Sequence, residues 1–141
     1  MNNYFIVDAK LPSLNEYINA CRRNPFSGAT FKKKVEKTIG HSIDTYKNQG
    51  VLTPTEEPIM VSFIWSEKTQ RRDVDNIASA KKYILDAMQS HGVIPNDNRK
   101  YVKGFQDEVI DGTEDYVIVE IKPANELSIN KDKVLPGIIY L

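Results

Sequence analysis

The chain has 141 residues, 40% hydrophobic and 27% charged, and its 19 basic residues balance its 19 acidic ones. This length predicts a single domain with one small hydrophobic core. The sequence contains no apolar run near the ~20 residues of a membrane span, no signal-peptide pattern and no Cys/His zinc pattern. The single cysteine, Cys21, excludes an internal disulfide, so we expect a reducing, cytoplasmic location.

The first third of the chain predicts a strand followed by helical structure. Tyr4 to Pro12 is rich in β-forming residues and ends at a proline. Ser13 is a candidate N-cap, but the "NPFSG" stretch is expected to end any helix that starts there. A longer amphipathic helix is predicted from its cap at Thr30 to its stop at Gly50, on an apolar stripe formed by Phe31, Val35, Ile39, Ile43 and Tyr46.

The middle of the chain predicts a buried strand and a second helix. "IMVSFIWSE" is apolar on both alternating faces, which is typical of a central strand. The following segment, "DNIASAKKYILDAMQSHG", predicts one helix that Asp75 or Asn76 caps and Gly92 ends. Its core stripe is expected to consist of Ile77, Ala80, Ile84 and Met88.

The last third predicts two strands and a tail. "KYVKGFQDEVID" and "DYVIVEIKP" flank the turn signal "DGTED", and we expect them to form a β-hairpin. The predicted fold class is therefore α+β, a mixed β-sheet with two main helices packed on it. Residues 1–122 form the predicted domain, and residues 123–141 are a tail whose apolar end, "GIIYL", is a candidate edge strand or dimer contact.

Two closely spaced carboxylates stand where the second helix begins. Asp73 and Asp75 point to the same side if the chain there is extended, and they repel each other unless a cation joins them. Mg²⁺ or Mn²⁺ suits such oxygen ligands. Along the helix, the face of Asp75 also carries Ser79, Lys82, Asp86 and Gln89.

A third carboxylate, Asp97, lies in the turn "NDN" that follows the helix. Spacing alone leaves open whether this turn reaches the helix. Simpler interpretations also stay open, because Asp-x-Asp at a helix start commonly serves capping and dipole stabilisation. Asn-Asp-Asn is commonly a plain turn, and Lys82 by itself is typical of a solvated surface.

Taken together, "DVDNIASAKKYILDAM" and the following "GVIPNDN" resemble the RusA-type Holliday junction resolvases, a family often carried by prophages. The matching motifs are "DVDN", "LDAM" and "NDN", preceded by "LPSLNEY", and the resemblance covers about residues 4 to 122. It implies a homodimeric, Mg²⁺-dependent endonuclease (Mn²⁺ can substitute) that nicks four-way DNA junctions symmetrically. The metal-binding and catalytic carboxylates then correspond to Asp73, Asp75 and Asp97, and the helix lysine to Lys82.

A metal-dependent cleavage of DNA would also give roles to the surrounding residues. Asn76 would orient an aspartate and Asp86 would hold Lys82. The expected contacts to the DNA backbone are Arg71, Arg72, Lys68, Lys32, Lys33 and Lys34. The chain departs from the family in three respects. It has Ser79 where a lysine is common, which leaves Lys81 as an alternative catalytic lysine. It also has only one carboxylate in the turn, and its net charge is neutral.

Two other classes of function compete with the nuclease. One is a non-catalytic DNA-binding phage accessory module of the same fold. The other is a metal-free protein-interaction domain that docks through "GIIYL". Metal binding separates the nuclease from both, and DNA binding separates the two alternatives from each other.

Overall fold

A computed structural model describes residues 2–124, which form one α+β domain. The domain consists of a four-stranded mixed sheet and four helices. The elements are β1 (Asn3–Val7), α1 (Leu14–Arg23), α2 (Pro25–Asn48), β2 (Ile59–Glu67), α3 (Val74–Ala78), α4 (Lys81–Ser90), β3 (Val102–Asp111) and β4 (Tyr116–Pro123). The predicted fold class is confirmed at this level. The "GIIYL" prediction lies outside the described residues.

The sheet has the order β1-β4-β2-β3, with β2 inside it. β2 pairs with β3 in parallel and with β4 antiparallel, and seven of its nine residues are buried. The predicted hairpin is therefore wrong, because β2 lies between β3 and β4. A strand that is apolar on both faces loses most contact with water in the interior of a sheet, and this favours its insertion between the two later strands.

The "DGTED" segment instead crosses over the end of β2. The Gly112 N–H donates to the Glu67 carbonyl at 3.0 Å, and the Ser66 hydroxyl donates to the Glu114 carbonyl at 2.7 Å. A Cβ atom at Gly112 would collide with the Ser66 hydroxyl. The absence of a side chain at position 112 is what lets the crossover pass so close to the strand.

The two N-terminal helices meet at a sharp elbow. The Ser13 hydroxyl accepts the Glu16 N–H at 3.3 Å, so the predicted N-cap is confirmed. The predicted start at Thr30 is wrong, since α2 begins at Pro25 and Asn24 caps it by accepting the Ser27 N–H at 2.8 Å. Proline fits the first turn of a helix, where its missing N–H would have no partner.

The predicted second helix is broken into α3 and α4. Asp73 occupies the N-cap position with extended backbone, instead of Asp75 or Asn76, and its side chain makes no capping hydrogen bond. At the break the N–H of Lys82 bonds to the carbonyl of Ser79, three residues back, at 3.5 Å. The Ser79 hydroxyl donates to the Asn76 carbonyl at 2.7 Å and accepts the Leu14 N–H at 3.1 Å. This tether to α1 holds the tightened turn in place.

The hydrophobic core lies between one face of the sheet and the helices. The predicted stripe is confirmed, since all four of its residues are buried, namely Ile77, Ala80, Ile84 and Met88. The predicted stops at Gly50 and Gly92 are confirmed by their positive φ angles of 75° and 74°. In the part of the chain that the structure describes, no helix combines the length and apolarity that crossing a bilayer requires.

Candidate functional site

An open cavity of about 780 Å³ lies where α3 and α4 approach the start of α1. Asp75 and Lys82 line it together, as their common helix face predicted. Lys81 on α4 and Asp107 on β3 also line it, whereas Asp73 and Asp97 do not. The remaining lining residues are Leu14, Val74, Ala78 and Ser79. The tightened turn at Ser79 therefore still leaves Asp75 and Lys82 facing the same space.

Asp75 presents its carboxylate at the mouth of this cavity. The residue is exposed, and its Oδ1 atom accepts the backbone N–H of Asn76 at 3.0 Å. Asn76 thus holds the Asp75 carboxylate through its main chain. The bond uses one carboxylate oxygen and leaves the other available for a ligand.

Lys82 joins the helix to the turn that follows it. Its Nζ atom lies 3.0 Å from Asp97 Oδ2 and 3.0 Å from Asp86 Oδ1. The hydrogen bonds that Lys82 donates, first to Asp86 and then to Asp97, raise the pKa of Lys82 above its ordinary value of 10.5. The "NDN" turn therefore returns to the helix at Lys82, and the predicted ion pair between Asp86 and Lys82 is present. Lys82 is protonated at neutral pH.

A second lysine–carboxylate pair lies beside the first and was missed from the sequence. Lys81 forms an ion pair with Asp107, and its ammonium lies 4.6 Å from the centre of the Phe105 ring. The other Asp107 oxygen accepts the Trp65 indole N–H at 2.9 Å. Alternation along β3 offered a signal, because it places Asp107 on the same face as Phe105 and Val109. A carboxylate between apolar residues on one face of a strand predicts a partner for its charge.

The carboxylates predicted to hold a metal are not gathered into one cluster. Among residues 2–124 there is no grouping of three or more Asp, Glu, His or Cys side chains that would hold a metal ion. The chemistry of Asp75 nevertheless fits Mg²⁺, which binds carboxylate oxygens and needs only one or two of them beside water and substrate phosphate. The joint role of Asp73, Asp75 and Asp97 stays a prediction.

Arg72 is engaged within the fold. Its guanidinium donates to both Glu67 oxygens at 2.9 and 3.0 Å and to the Leu11 carbonyl at 3.1 Å. The two side chains are only 12% and 6% exposed. This geometry gives Arg72 a structural role and leaves it poorly placed for the predicted contact with DNA.

The other predicted DNA contacts differ in how free they are. Lys32 lies 3.8 Å from Asp86 and 3.9 Å from Glu36, so its charge is partly compensated. The four remaining predicted contacts are exposed, namely Lys33, Lys34, Lys68 and Arg71. These four retain the accessibility that a phosphate contact requires.

No protein-family model matches the chain, and no curated protein sequence matches it.

Proposed function

We propose that this protein is a Mg²⁺-dependent endonuclease that cuts four-way DNA junctions, as its resemblance to the RusA-type resolvases implies. The observation that carries the proposal is the 3.0 Å contact between Lys82 Nζ and Asp97 Oδ2, together with the cavity that Lys82 shares with Asp75. Lys82 thus contacts Asp97 and shares a cavity with Asp75, although the three residues come from separate parts of the resolvase-like motif.

The residues divide the work of phosphodiester hydrolysis between them. Asp75 would hold the metal, with Asp73 and Asp97 as the further predicted ligands. A bound Mg²⁺ supplies charge neutralisation at the phosphate and makes a water molecule more acidic. Lys82 would donate to a phosphate oxygen and stabilise the charge that develops there. Asp86 restrains the Lys82 ammonium through their 3.0 Å ion pair.

Binding of DNA would come from exposed basic residues outside the cavity. Lys33, Lys34, Lys68 and Arg71 are accessible, and contacts between such side chains and phosphates make affinity depend on salt. A homodimer would present two identical sites related by a two-fold axis. That symmetry suits a junction that must be nicked at two equivalent strands.

The decisive experiment is a nicking assay on a synthetic four-way junction with Asp75→Asn. We expect wild-type protein to nick in Mg²⁺ and not in EDTA, and the variant to lose nicking while it keeps its fold and its junction binding. Glu56→Gln is the matched control, because it also removes an exposed carboxylate. Glu56 lies in the loop before β2, whereas Asp75 follows the opposite end of that strand. Wild-type cutting by Asp75→Asn would place the chemistry elsewhere.

One observation favours the alternative of a non-catalytic DNA-binding module. Lys82 is already paired with two carboxylates, Asp86 and Asp97, so a phosphate must compete with them for its protons. Tight junction binding without nicking in either Mg²⁺ or Mn²⁺ would support this alternative. Failure to bind DNA at all would exclude both functions.

A further inference from the structure

The most exposed large apolar side chain in the described part of the protein is Phe26, with 84% of its surface accessible. It lies at the elbow between α1 and α2, at the second residue of α2. We propose that this elbow binds an unpaired base of single-stranded or branched DNA, with the Phe26 ring as the stacking surface. The proposal rests on the proposed function and adds a second point of contact to it.

The elbow is a rigid support for the ring. Pro25 and the Asn24 cap fix the first turn of α2. Two residues after Phe26, Gly28 lies directly against Cys21 of α1, so closely that a Cβ atom there would collide with the cysteine sulfur. A ring held on a rigid element loses little conformational entropy when a base stacks on it. The exposure of Phe26 is thus a fixed property of the elbow.

The sequence segment that contains Phe26 has the charge that suits a nucleic acid. Between Glu16 and Glu36 the sequence contains five basic residues and no acidic one, although the whole chain is neutral. The five are Arg22, Arg23, Lys32, Lys33 and Lys34, of which Lys32 is partly compensated by Glu36 and Asp86. Sites for unpaired strands combine such cationic surfaces, which contact the backbone, with aromatic rings that stack on bases.

A concave surface of about 500 Å³ lies beside the ring and completes the site. Arg23, Asn24 and Phe31 line it together with Phe26. Arg23 offers donors to phosphate, the Asn24 side-chain NH₂ group offers donors to a base edge while its oxygen caps α2, and the Phe31 ring adds an apolar wall. A base that stacks on Phe26 would therefore find polar partners next to it.

The elbow is close enough to the candidate active site for one DNA strand to contact both. Leu14, the first residue of α1, lines the catalytic cavity, and α1 has 10 residues. At a rise of about 1.5 Å per residue, the elbow is roughly 15 Å from the cavity. This corresponds to about four nucleotide steps at ~3.4 Å per step. A strand passing the cavity would reach Phe26 a few nucleotides from the cut.

The test is a comparison of DNA binding by wild-type protein and Phe26→Ala in EDTA, where no cutting takes place. The probes are a single strand, a four-way junction and a linear duplex of the same sequence. We expect Phe26→Ala to weaken binding to the single strand and the junction by roughly 5- to 100-fold, the effect of losing one stacked base, and to leave duplex binding unchanged. Ile18→Ala, which removes a 43%-exposed aliphatic side chain from α1, should change none of the three.

Phe26→Trp supplies a direct signal for stacking. The chain has one tryptophan, and Trp65 is buried, so quenching that appears only in Phe26→Trp reports contact between the new indole and a base. Quenching by the single strand but not by the duplex supports the proposal. Equal affinities of wild type and Phe26→Ala for all three probes overturn it.

Three further outcomes separate the inference from other interpretations. Normal junction nicking by Phe26→Ala with unchanged single-strand affinity rejects the stacking site and keeps the proposed nuclease. A wild-type protein that binds no DNA rejects both. A loss of self-association, or of binding to anionic lipid vesicles, in Phe26→Ala without any change in DNA binding would assign the ring to a protein or membrane contact and overturn the proposal.

Discussion

Replacing Arg72 with methionine removes a guanidinium that makes three hydrogen bonds within the fold. Its main partner, Glu67, is 6% exposed at the end of β2 and forms a two-pronged ion pair with it. In Arg72→Met the Glu67 carboxylate and the Leu11 carbonyl both lose their partner. A nearly buried charge without a counter-charge cannot recover its hydration, so the variant should be strongly destabilised.

The size of the effect follows from the burial of the pair. Breaking a buried ion pair by removing one partner costs about 3–5 kcal/mol. Because Arg72 keeps 12% of its surface in contact with solvent, we expect the lower end, about 3 kcal/mol. For a chain of this size each kcal/mol lowers the melting temperature by roughly 4 °C, so the expected loss is ~12 °C.

Urea unfolding and thermal melting measure this change directly. Arg72→Lys should lie between wild type and Arg72→Met, since an ammonium keeps the charge but not the paired geometry. The double variant Arg72→Met/Glu67→Met should recover much of the loss, because it leaves no unpaired charge behind. The control is Arg71→Met, the exposed neighbour, whose unfolding free energy should change by no more than ~0.5 kcal/mol.

The opposite result would restore the role that the sequence predicted. If Arg72→Met is no less stable than Arg71→Met, and instead binds junctions more weakly with a smaller salt dependence, then Arg72 contacts phosphate and the internal pairing is unimportant. A destabilised Arg72→Met with normal junction affinity under folded conditions agrees with the structure.

Two further predictions concern stability. Burial raises the pKa of Tyr83 from 10.0 to about 12, so the folded state holds this proton more tightly than the unfolded state does. The unfolding free energy should therefore fall as the pH rises from 10 toward 12, and Tyr83→Phe should reduce this pH dependence. An unchanged slope in Tyr83→Phe would contradict it. Gly112→Ala should cost about 1–3 kcal/mol by forcing a methyl group against Ser66, and less in a Ser66→Ala background. Equal costs in both backgrounds, measured by urea unfolding, would exclude that collision.

Local patterns in the sequence determined most of the secondary structure. The Ser13 cap and the buried stripe of the second helix follow from residue types at fixed spacings, and each is present in the structure. The errors have two origins, one local and one tertiary. Asn24 followed by Pro25 is as favourable a helix start as Thr30, and the spacing of apolar residues cannot distinguish between two neighbouring candidate caps. The break before Lys81 depends on a tether from α1, which no spacing within the helix reveals.

Tertiary structure decided which strands pair and which charges meet. The sequence placed β3 beside β4 because they are consecutive, but β2 gains more burial between them than at an edge. The ion pairs of the candidate site likewise depend on tertiary packing. Lys82 meets Asp97 across 15 residues of chain and Lys81 meets Asp107 across 26. Periodicity within one element fixes the face on which a lysine lies, whereas its partner depends on how separate elements pack.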